Sequence, residues 1–198
     1  MLAFSSDDWG LLVGIALIWG SSFVFMEIGL RTFEPGVITL ARIGLGAATV
    51  AFFARARAPI ERADWPRVAF LGVIWMAVPL LLFPIAQQWI SSSVTGMING
   101  AMPVFAAAWA TYLLRRLPGW RQLLGIGLGF AGIVLVFVPE LEAGTDGLLG
   151  ALLALLAVVF YGLAANVSVP LSQKYGSLPV VFRAQLVALI IVAPIGLV

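Results

Sequence analysis

Two ionisable residues lie within apolar stretches near the start of the chain, where a charge is costly unless it is paired or reaches water. Glu27 precedes a turn near Phe33 by six residues and Arg42 follows it by nine, so their depths differ by about 4–5 Å along two helices. One interpretation is an ion pair that clamps a helical hairpin, or two side chains that each reach water separately. The other is a solute site, in which Arg42 binds a carboxylate or phosphate and Glu27 carries a proton.

Aromatic residues share a helical stripe with Glu27. Trp19, Phe23 and Glu27 are spaced i, i+4 and i+8, so they lie on one side of a helix, with Ser22 beside them. Such a stripe is typical of a packing surface, and it also suits the wall of a cavity for aromatic or amphipathic solutes. Further candidates for such a wall are Trp75, Trp89, Phe105, Trp109 and Tyr161.

Four prolines lie inside apolar segments, and each lacks an N–H and leaves the carbonyl four residues earlier without its helical partner. Pro103 does this to Asn99 and Pro170 to Asn166, so an amide side chain accompanies the freed carbonyl in both cases. This spacing predicts a polar pair that binds solute, water or a neighbouring helix. A helix kink that serves packing or gating is the alternative. The other two prolines of this kind are Pro79 and Pro84.

The composition indicates that lipid surrounds these residues. Of the 198 residues, 62% are apolar and 10% are charged, which excludes a soluble globular fold. The chain contains no cysteine and no histidine, so thiol and imidazole chemistry and the usual zinc and haem ligands are excluded. We therefore expect no catalytic residue, no metal and no cofactor. The formal charge of +2 is scattered over loops, which argues against a nucleic acid partner.

Charged and proline-rich breaks divide the chain into seven apolar segments. Each has about the length that a helix needs to cross a bilayer. We predict an all-α, polytopic membrane helix bundle of about seven transmembrane helices. The predicted spans are 10–30, 35–54, 66–89, 93–114, 121–138, 147–169 and 179–198.

Basic residues collect in alternate connections between these spans. Four arginines lie between spans two and three, three lie between spans four and five, and Lys174 lies between spans six and seven. Because cytoplasmic loops collect basic residues, these connections and the N-terminus are predicted to be cytoplasmic. Trp9, Trp65 and Trp120 each lie at the inner mouth of an odd-numbered span, where an indole favours the interface. We expect a multi-pass protein of a cell membrane, with the lipid bilayer as a partner.

Two features of the first part of the chain recur later in it. The pairs Trp19-Gly20 and Tyr161-Gly162 are 142 residues apart, and Arg42 and Arg183 are 141 apart. A repeat of about 141 residues holds five spans, an odd number, so the second copy is expected to cross the membrane in the opposite orientation. Arg42 and Arg183 would then mark opposite mouths of one pathway.

This repeat divides the chain into three parts. Residues 1–139 are predicted to form a complete five-helix repeat, residues 140–146 an external linker, and residues 147–198 the first two helices of an incomplete second repeat.

Several segments resemble the EamA domain of the drug/metabolite transporter superfamily. The opening of that domain is similar to WGSSFVFMEIGL followed by PGVITLARIGLGA, its fourth span to SSSVTGMINGAMPVFAAAWATYLL, and its fifth to GWRQLLGIGLGFAGIVLVFVP. Members usually have ten spans in two halves, so the resemblance implies that the last three are missing here. Two positions depart from the pattern. Glu27 stands where the family often has lysine, and Arg115-Arg116 replaces the usual Gly-Glu.

The resemblance implies a secondary active transporter, in the exporting direction, for small organic metabolites or drugs, working by alternating access in the bacterial inner membrane. The alternative is a truncated, non-transporting subunit or fragment, for which a homodimer or a second polypeptide completes the missing helices. An intramembrane enzyme is disfavoured, since the sequence has no evident carboxylate dyad and no G-x-S-x-G elbow. The proton-coupling candidate is Glu27. The expected substrate-binding residues are Trp19, Ser22, Phe23, Arg42, Asn99, Phe105, Tyr161, Asn166 and Arg183.

Overall fold

The computed structural model of the chain describes residues 5–115, 119–142 and 144–197. Within these ranges the chain is helical and contains no strand. The α-helices, in chain order, are α1 (Ser6–Gly29), α2 (Pro35–Ala51), α3 (Trp65–Leu71), α4 (Val78–Ala86), α5 (Ser92–Asn99), α6 (Met102–Leu114), α7 (Trp120–Glu142), α8 (Thr145–Tyr175) and α9 (Ser177–Gly196). Two 3₁₀ turns, Ala54–Arg57 and Arg62–Asp64, lie between α2 and α3, and the π-helix Gly72–Ala77 joins α3 to α4.

The prediction of an all-α polytopic bundle is confirmed. Six helical stretches of the described chain are long and apolar enough to cross a membrane, and α2 is a shorter apolar helix of 17 residues. The third stretch, counting α2, combines α3, the π-helix and α4, and the fourth combines α5 and α6. Because lipid offers no hydrogen bonds to the backbone, a continuous apolar segment of this length crosses it as a helix, and hydropathy therefore locates the helices.

The sixth span is longer than predicted. We expected it to end at residue 169, but α8 continues through Pro170 to Tyr175 and has 31 residues. Gly144 (φ +95°) and Gly176 (φ +81°) bound this helix, and both have a positive φ, which favours glycine. The proline does not end the helix, whereas the glycine does.

The four prolines fall into two classes. Pro103 lies in the first turn of α6, where a missing N–H costs little, and Pro79 lies in the first turn of α4, directly after the π-helix. Pro84 and Pro170 lie inside α4 and α8. The fourth span is therefore divided into two helices at residues 100–101, immediately before Pro103.

One departure from the family pattern, at Arg115, lies at the end of α6. Arg115 has a left-handed φ of +50°, a conformation that favours glycine. Arg115 stands where the resembled pattern has glycine, and a non-glycine residue adopts this conformation at a cost. Arg116 lies outside the described residues.

Helix α8 forms the centre of the bundle. It packs against α4 on one side and α6 on the other, and α9 packs along α2. A Cβ on Gly162 would lie 2.7 Å from the carbonyl carbon of Phe105, so the α6 and α8 backbones approach each other as only glycine allows. Gly36 and Gly196 allow a similar approach between α2 and α9.

We name the two ends of the bundle by their turns. The basic end holds the turn from Phe52 to Asp64 together with the α8–α9 junction at Gly176. The opposite end holds the α1–α2 turn and the α4–α5 turn. Helix α1 runs from the basic end to the opposite end and α5 runs back, since Glu27 near the end of α1 contacts Ser92 at the start of α5.

Candidate functional site

Two clefts lie on different faces of α1. The first, which we call the amide cleft, lies between α1 and α5 and has a volume of about 560 Å³. The second, the arginine cleft, lies between α1 and α2 and has a volume of about 450 Å³. Both volumes are in the range of small-molecule sites. Five of the expected substrate-binding residues line one cleft or the other: Trp19, Phe23 and Asn99 the first, Ser22 and Arg42 the second.

The amide cleft follows from an antiparallel contact of α1 with α5. Phe23 lies opposite Gly96, where an added Cβ would be 3.7 Å from the phenyl ring. One turn further along α1, Glu27 Oε2 accepts a hydrogen bond of 3.0 Å from the backbone N–H of Ser92. A carboxylate at a helix N-terminus is favourable, and Ser91 caps the same helix by accepting from Val94 N–H at 3.2 Å. The cleft is therefore closed at the opposite end of the bundle.

The same cleft widens toward the basic end. After the break at residues 100–101, α6 leaves α1 and packs against α8. Trp19 and Asn99 face the cleft near this divergence. Asn99 Oδ1 is buried and accepts no hydrogen bond from any described residue. Such an unpaired acceptor is destabilising by about 1–3 kcal/mol.

The arginine cleft contains a cation held only by neutral groups. The Arg42 guanidinium donates to Ser22 Oγ at 2.9 Å and to Met26 Sδ at 2.7 Å. Among the described residues, the ion pairs are Arg67–Asp64, Lys174–Glu61 and Lys174–Asp64, and none involves Arg42. The ion-pair interpretation of Glu27 and Arg42 is therefore wrong. Glu27 instead binds α5, a contact that the lysine often found in the family would not make with an N–H group.

Asn166 and Phe105 lie in the interface between α6 and α8 rather than in either cleft. Asn166 Nδ2 donates to the carbonyls of Ala106 and Gly162, both at 2.9 Å. Of the three partners that the Asn-x-x-x-Pro spacing predicts, this amide therefore binds a neighbouring helix. Trp109 Nε1 donates across the same interface to the carbonyl of Val159 at 3.0 Å.

Tyr161 lies in the core, with 7% of its surface exposed. Its ring is 5.6 Å from that of Phe83, which in turn is 5.4 Å from the ring of Phe23. This row of rings connects α8 to α1 through α4. Phe83 thus stands between Tyr161 and Phe23, and Tyr161 is not among the residues that line the amide cleft.

Arg183 contacts the main chain at the basic end. Its guanidinium donates to the carbonyl of Ala56 and, at 3.1 Å, to that of Arg57. These carbonyls belong to the 3₁₀ turn that follows α2. The structure therefore places Arg183 where it holds a turn, away from both clefts.

Sequence reasoning missed a polar cluster at the basic end. Asp64 is only 8% exposed and accepts hydrogen bonds from Tyr175 Oη at 2.6 Å and Lys174 Nζ at 2.9 Å. Lys174 also contacts Glu61 at 2.8 Å. The available signal was the presence of two acids, Glu61 and Asp64, among the arginines of the turn before α3.

Gln87 is a second polar residue that the sequence analysis did not single out. It is buried, its Nε2 donates to the carbonyl of Phe23 at 3.1 Å, and its Oε1 has no partner among the described residues. This bond attaches the end of α4 to α1 at the residue that lines the amide cleft. Two consecutive amides, Gln87 and Gln88, at the end of an apolar span were the available signal.

Comparisons with known proteins agree with this architecture. A sequence model of the EamA-like transporter family matches residues 9–138. The uncharacterized transporter YcxC of Bacillus subtilis (strain 168) is 29% identical over 164 residues, which cover 81% of this chain and 53% of that protein. No solved structure gives a significant match.

Two further relatives carry names that mention a cargo. A probable terminal-alkyne amino-acid exporter of Streptantibioticus cattleyicolor is 23% identical over 197 residues, covering 98% of this chain and 65% of that protein. An S-adenosylmethionine/S-adenosylhomocysteine transporter of Chlamydia trachomatis serovar D is 32% identical over 120 residues, which cover 58% of this chain and 36% of that protein. The chain spans about half the length of the curated relatives it matches. A membrane bundle of this kind and a family match over most of the chain lead to one conclusion: the protein belongs to the EamA-like transporter family.

Proposed function

We propose that the protein is the solute-binding part of a secondary active transporter that exports small organic metabolites by alternating access. The observation that carries the proposal is the Arg42 guanidinium, which lies in a cleft between two apolar helices without a carboxylate partner. An unneutralised cation at such a position is costly, and a bound anion would offset that cost. Arg42 offers a planar pair of donors, and Ser22 adds a hydroxyl.

The names of two relatives support a carboxylate as the bound group. One is named a probable terminal-alkyne amino-acid exporter and the other an S-adenosylmethionine/S-adenosylhomocysteine transporter, and the solutes in both names have an α-carboxylate. We therefore propose that Arg42 and Ser22 bind the carboxylate of an amino-acid-like solute. Glu27 stays a candidate for proton coupling, since its carboxylate contacts Ser92 without an ion pair.

The proposal includes the arrangement in the membrane. The N-terminus and the basic end face the cytoplasm of a bacterial inner membrane, and the chain divides into a first repeat at 1–139, a linker at 140–146 and two helices of an inverted repeat at 147–198. The distribution of arginine among the turns supports this orientation.

A second candidate is a subunit or fragment that transports only after another polypeptide, or a second copy, completes the bundle. The difference between α1 and α8 favours it. In the apolar window of α1, 11% of the residues are buried, against 44% in α8. The three helices expected from the resemblance would supply the contacts that α1 lacks.

Flux measurements test the first candidate. The purified chain is reconstituted in proteoliposomes, and uptake of radiolabelled L-methionine and L-phenylalanine is compared for wild type, Arg42→Lys and Arg42→Ala. We expect Arg42→Ala to lose at least about tenfold in flux, as one lost charged contact implies, and Arg42→Lys to lose less. Arg31→Ala, at an exposed arginine outside the clefts, is the control.

Wild-type flux in Arg42→Ala would contradict the carboxylate site. If the wild-type chain alone transports neither solute, but transports one of them when another polypeptide or a second copy completes the bundle, the second candidate is favoured. The size of the purified particle in detergent, measured by light scattering, then reports the number of chains in it.

A further inference from the structure

The amide cleft differs chemically from the arginine cleft, although α1 forms a wall of both. Among the residues that line the amide cleft none is charged, whereas Arg42 lines the other. Trp19 and Phe23 supply ring surfaces, and Ser92 and Ser93 supply hydroxyls. Glu27, at the closed end, accepts a hydrogen bond from the backbone of Ser92, which lines the cleft.

Asn99 is one of three described residues with a buried side-chain oxygen that accepts no hydrogen bond, and the one of the three that lines the amide cleft. Its Oδ1 accepts no hydrogen bond from the described chain. Its backbone carbonyl also lacks the usual helical hydrogen bond, because Pro103, four residues later, has no N–H to donate. Both acceptors belong to the break between α5 and α6, where the regular helical pattern is interrupted.

The amide can present its oxygen to the cleft. Asn99 lines the cleft, and the terminal torsion of an asparagine has broad minima, so rotation about it exchanges Oδ1 with Nδ2 at little cost. A ligand with an N–H group would then give the oxygen its missing hydrogen bond. No group of the described chain competes for this oxygen, because it accepts no hydrogen bond there.

The walls favour an apolar or aromatic body attached to that N–H group. Aromatic faces attract a cation as well as an apolar surface, and Trp is the strongest of them. A carboxylate would find no positive charge among the lining residues. The volume of about 560 Å³ accommodates one ring-bearing molecule with space for water.

We propose that the amide cleft is a second solute subsite, with Asn99 as its hydrogen-bond acceptor, and that it binds the amino group of an organic amine with an aromatic or apolar body. The inference rests on the proposed function, because it names the class of solute that this transporter recognises. Helix α1 then separates a subsite for amines from a subsite for carboxylates.

A binding experiment on the purified chain in detergent tests this subsite without any flux. Equilibrium dialysis measures the affinities of radiolabelled phenethylamine and 3-phenylpropionate, which share a ring and a two-carbon linker and differ in the charged group. Protein-free micelles correct for partition. We expect wild type to bind the amine at least about tenfold more tightly than the acid.

Three variants locate the binding. Asn99→Leu should weaken phenethylamine binding about tenfold, the size expected for one hydrogen bond to a charged group. Asn99→Asp retains an acceptor and should bind the amine at least as tightly as wild type. Leu128→Ala, at a largely exposed position on α7, is the matched control and should leave binding unchanged.

Equal affinity of wild type for the two probes, or undiminished binding of the amine by Asn99→Leu, would overturn the proposal. A change in particle size without a change in amine binding in Asn99→Leu would also overturn it, since Asn99 would then contact another polypeptide. Because the assay needs no gradient, loss of amine selectivity counts against the subsite even if flux is found. Absent flux with intact selectivity counts only against the transport proposal.

Discussion

The pairs Trp19-Gly20 in α1 and Tyr161-Gly162 in α8 are similar in sequence and lie in opposite surroundings. A Cβ on Gly162 would meet Phe105 at 2.7 Å, whereas nothing lies within 4 Å of the same point on Gly20. Tyr161 is 7% exposed and Trp19 is 44% exposed. An aromatic-glycine pair therefore forms a helix contact in α8 and a cleft wall in α1, and the neighbouring helices determine which.

The neighbours differ because the two helices occupy different places in the bundle. Helix α8 is enclosed by α4 and α6, while α1 contacts mainly α5. Side chains that could bind a solute are therefore used for packing in α8, and they stay accessible in α1. Substitutions at matched positions of the two helices test this difference.

The largest expected effect is at the two glycines. Gly162→Ala should destabilise the fold by about 2 kcal/mol, because the added methyl group must displace the backbone of α6. Gly20→Ala should instead stabilise it by about 0.5–1 kcal/mol, since alanine is the better helix former and has open space. Thermal unfolding in detergent, followed by tryptophan fluorescence, measures both. The comparison fails if the two variants shift the melting temperature in the same direction.

A smaller effect is expected where α8 ends. Tyr175→Phe removes the 2.6 Å hydrogen bond to Asp64 that fastens α8 to the turn before α3. We expect the melting temperature to fall by about 3 °C. Tyr112→Phe, at an exposed tyrosine on α6, is the control and should not change it. An unchanged melting temperature in Tyr175→Phe would mean that Lys174 alone holds this junction.

The smallest expected effect compares two asparagines. Asn166→Leu removes the hydrogen bond that the Asn166 side chain donates to the carbonyl of Ala106. We expect the free energy of unfolding to fall by about 0.6–1 kcal/mol, as for other hydrogen bonds between membrane helices. Asn99→Leu removes no hydrogen bond from the described chain and relieves a buried acceptor, so its stability should be equal or higher. The same unfolding assay measures the stability of both variants. An equal loss of stability in the two would contradict the assignment of Asn166 to packing and Asn99 to binding.

Much of the fold was predictable, and the reason differs from element to element. The spans were located to within a few residues, except at the end of α8. Hydropathy marks the apolar segments, and in lipid their backbone N–H and C=O groups find hydrogen bonds within a helix. Pro170 misled the prediction of that end, since a proline inside a membrane helix can be accommodated by its neighbours. Which partners α8 would have was not predictable from its own residues.

The candidate site was predictable only in part. The stripe of Trp19 and Phe23 does line a cleft, because spacing along one helix determines which side chains share a face. The partner of Glu27 was not predictable, because depth along two helices does not determine the rotation of each about its axis. That rotation directs Glu27 to Ser92 and Arg42 to Ser22.

The sequence by itself therefore determined the solvent, the helices and the residues that share a helical face, since these depend on composition and local periodicity. Only the tertiary structure decided that Asn166 binds another helix while Asn99 keeps an unpaired oxygen beside a cleft. The two asparagines have the same spacing from a proline. Their difference arises from how closely a second helix approaches, and that distance depends on residues far away in the chain.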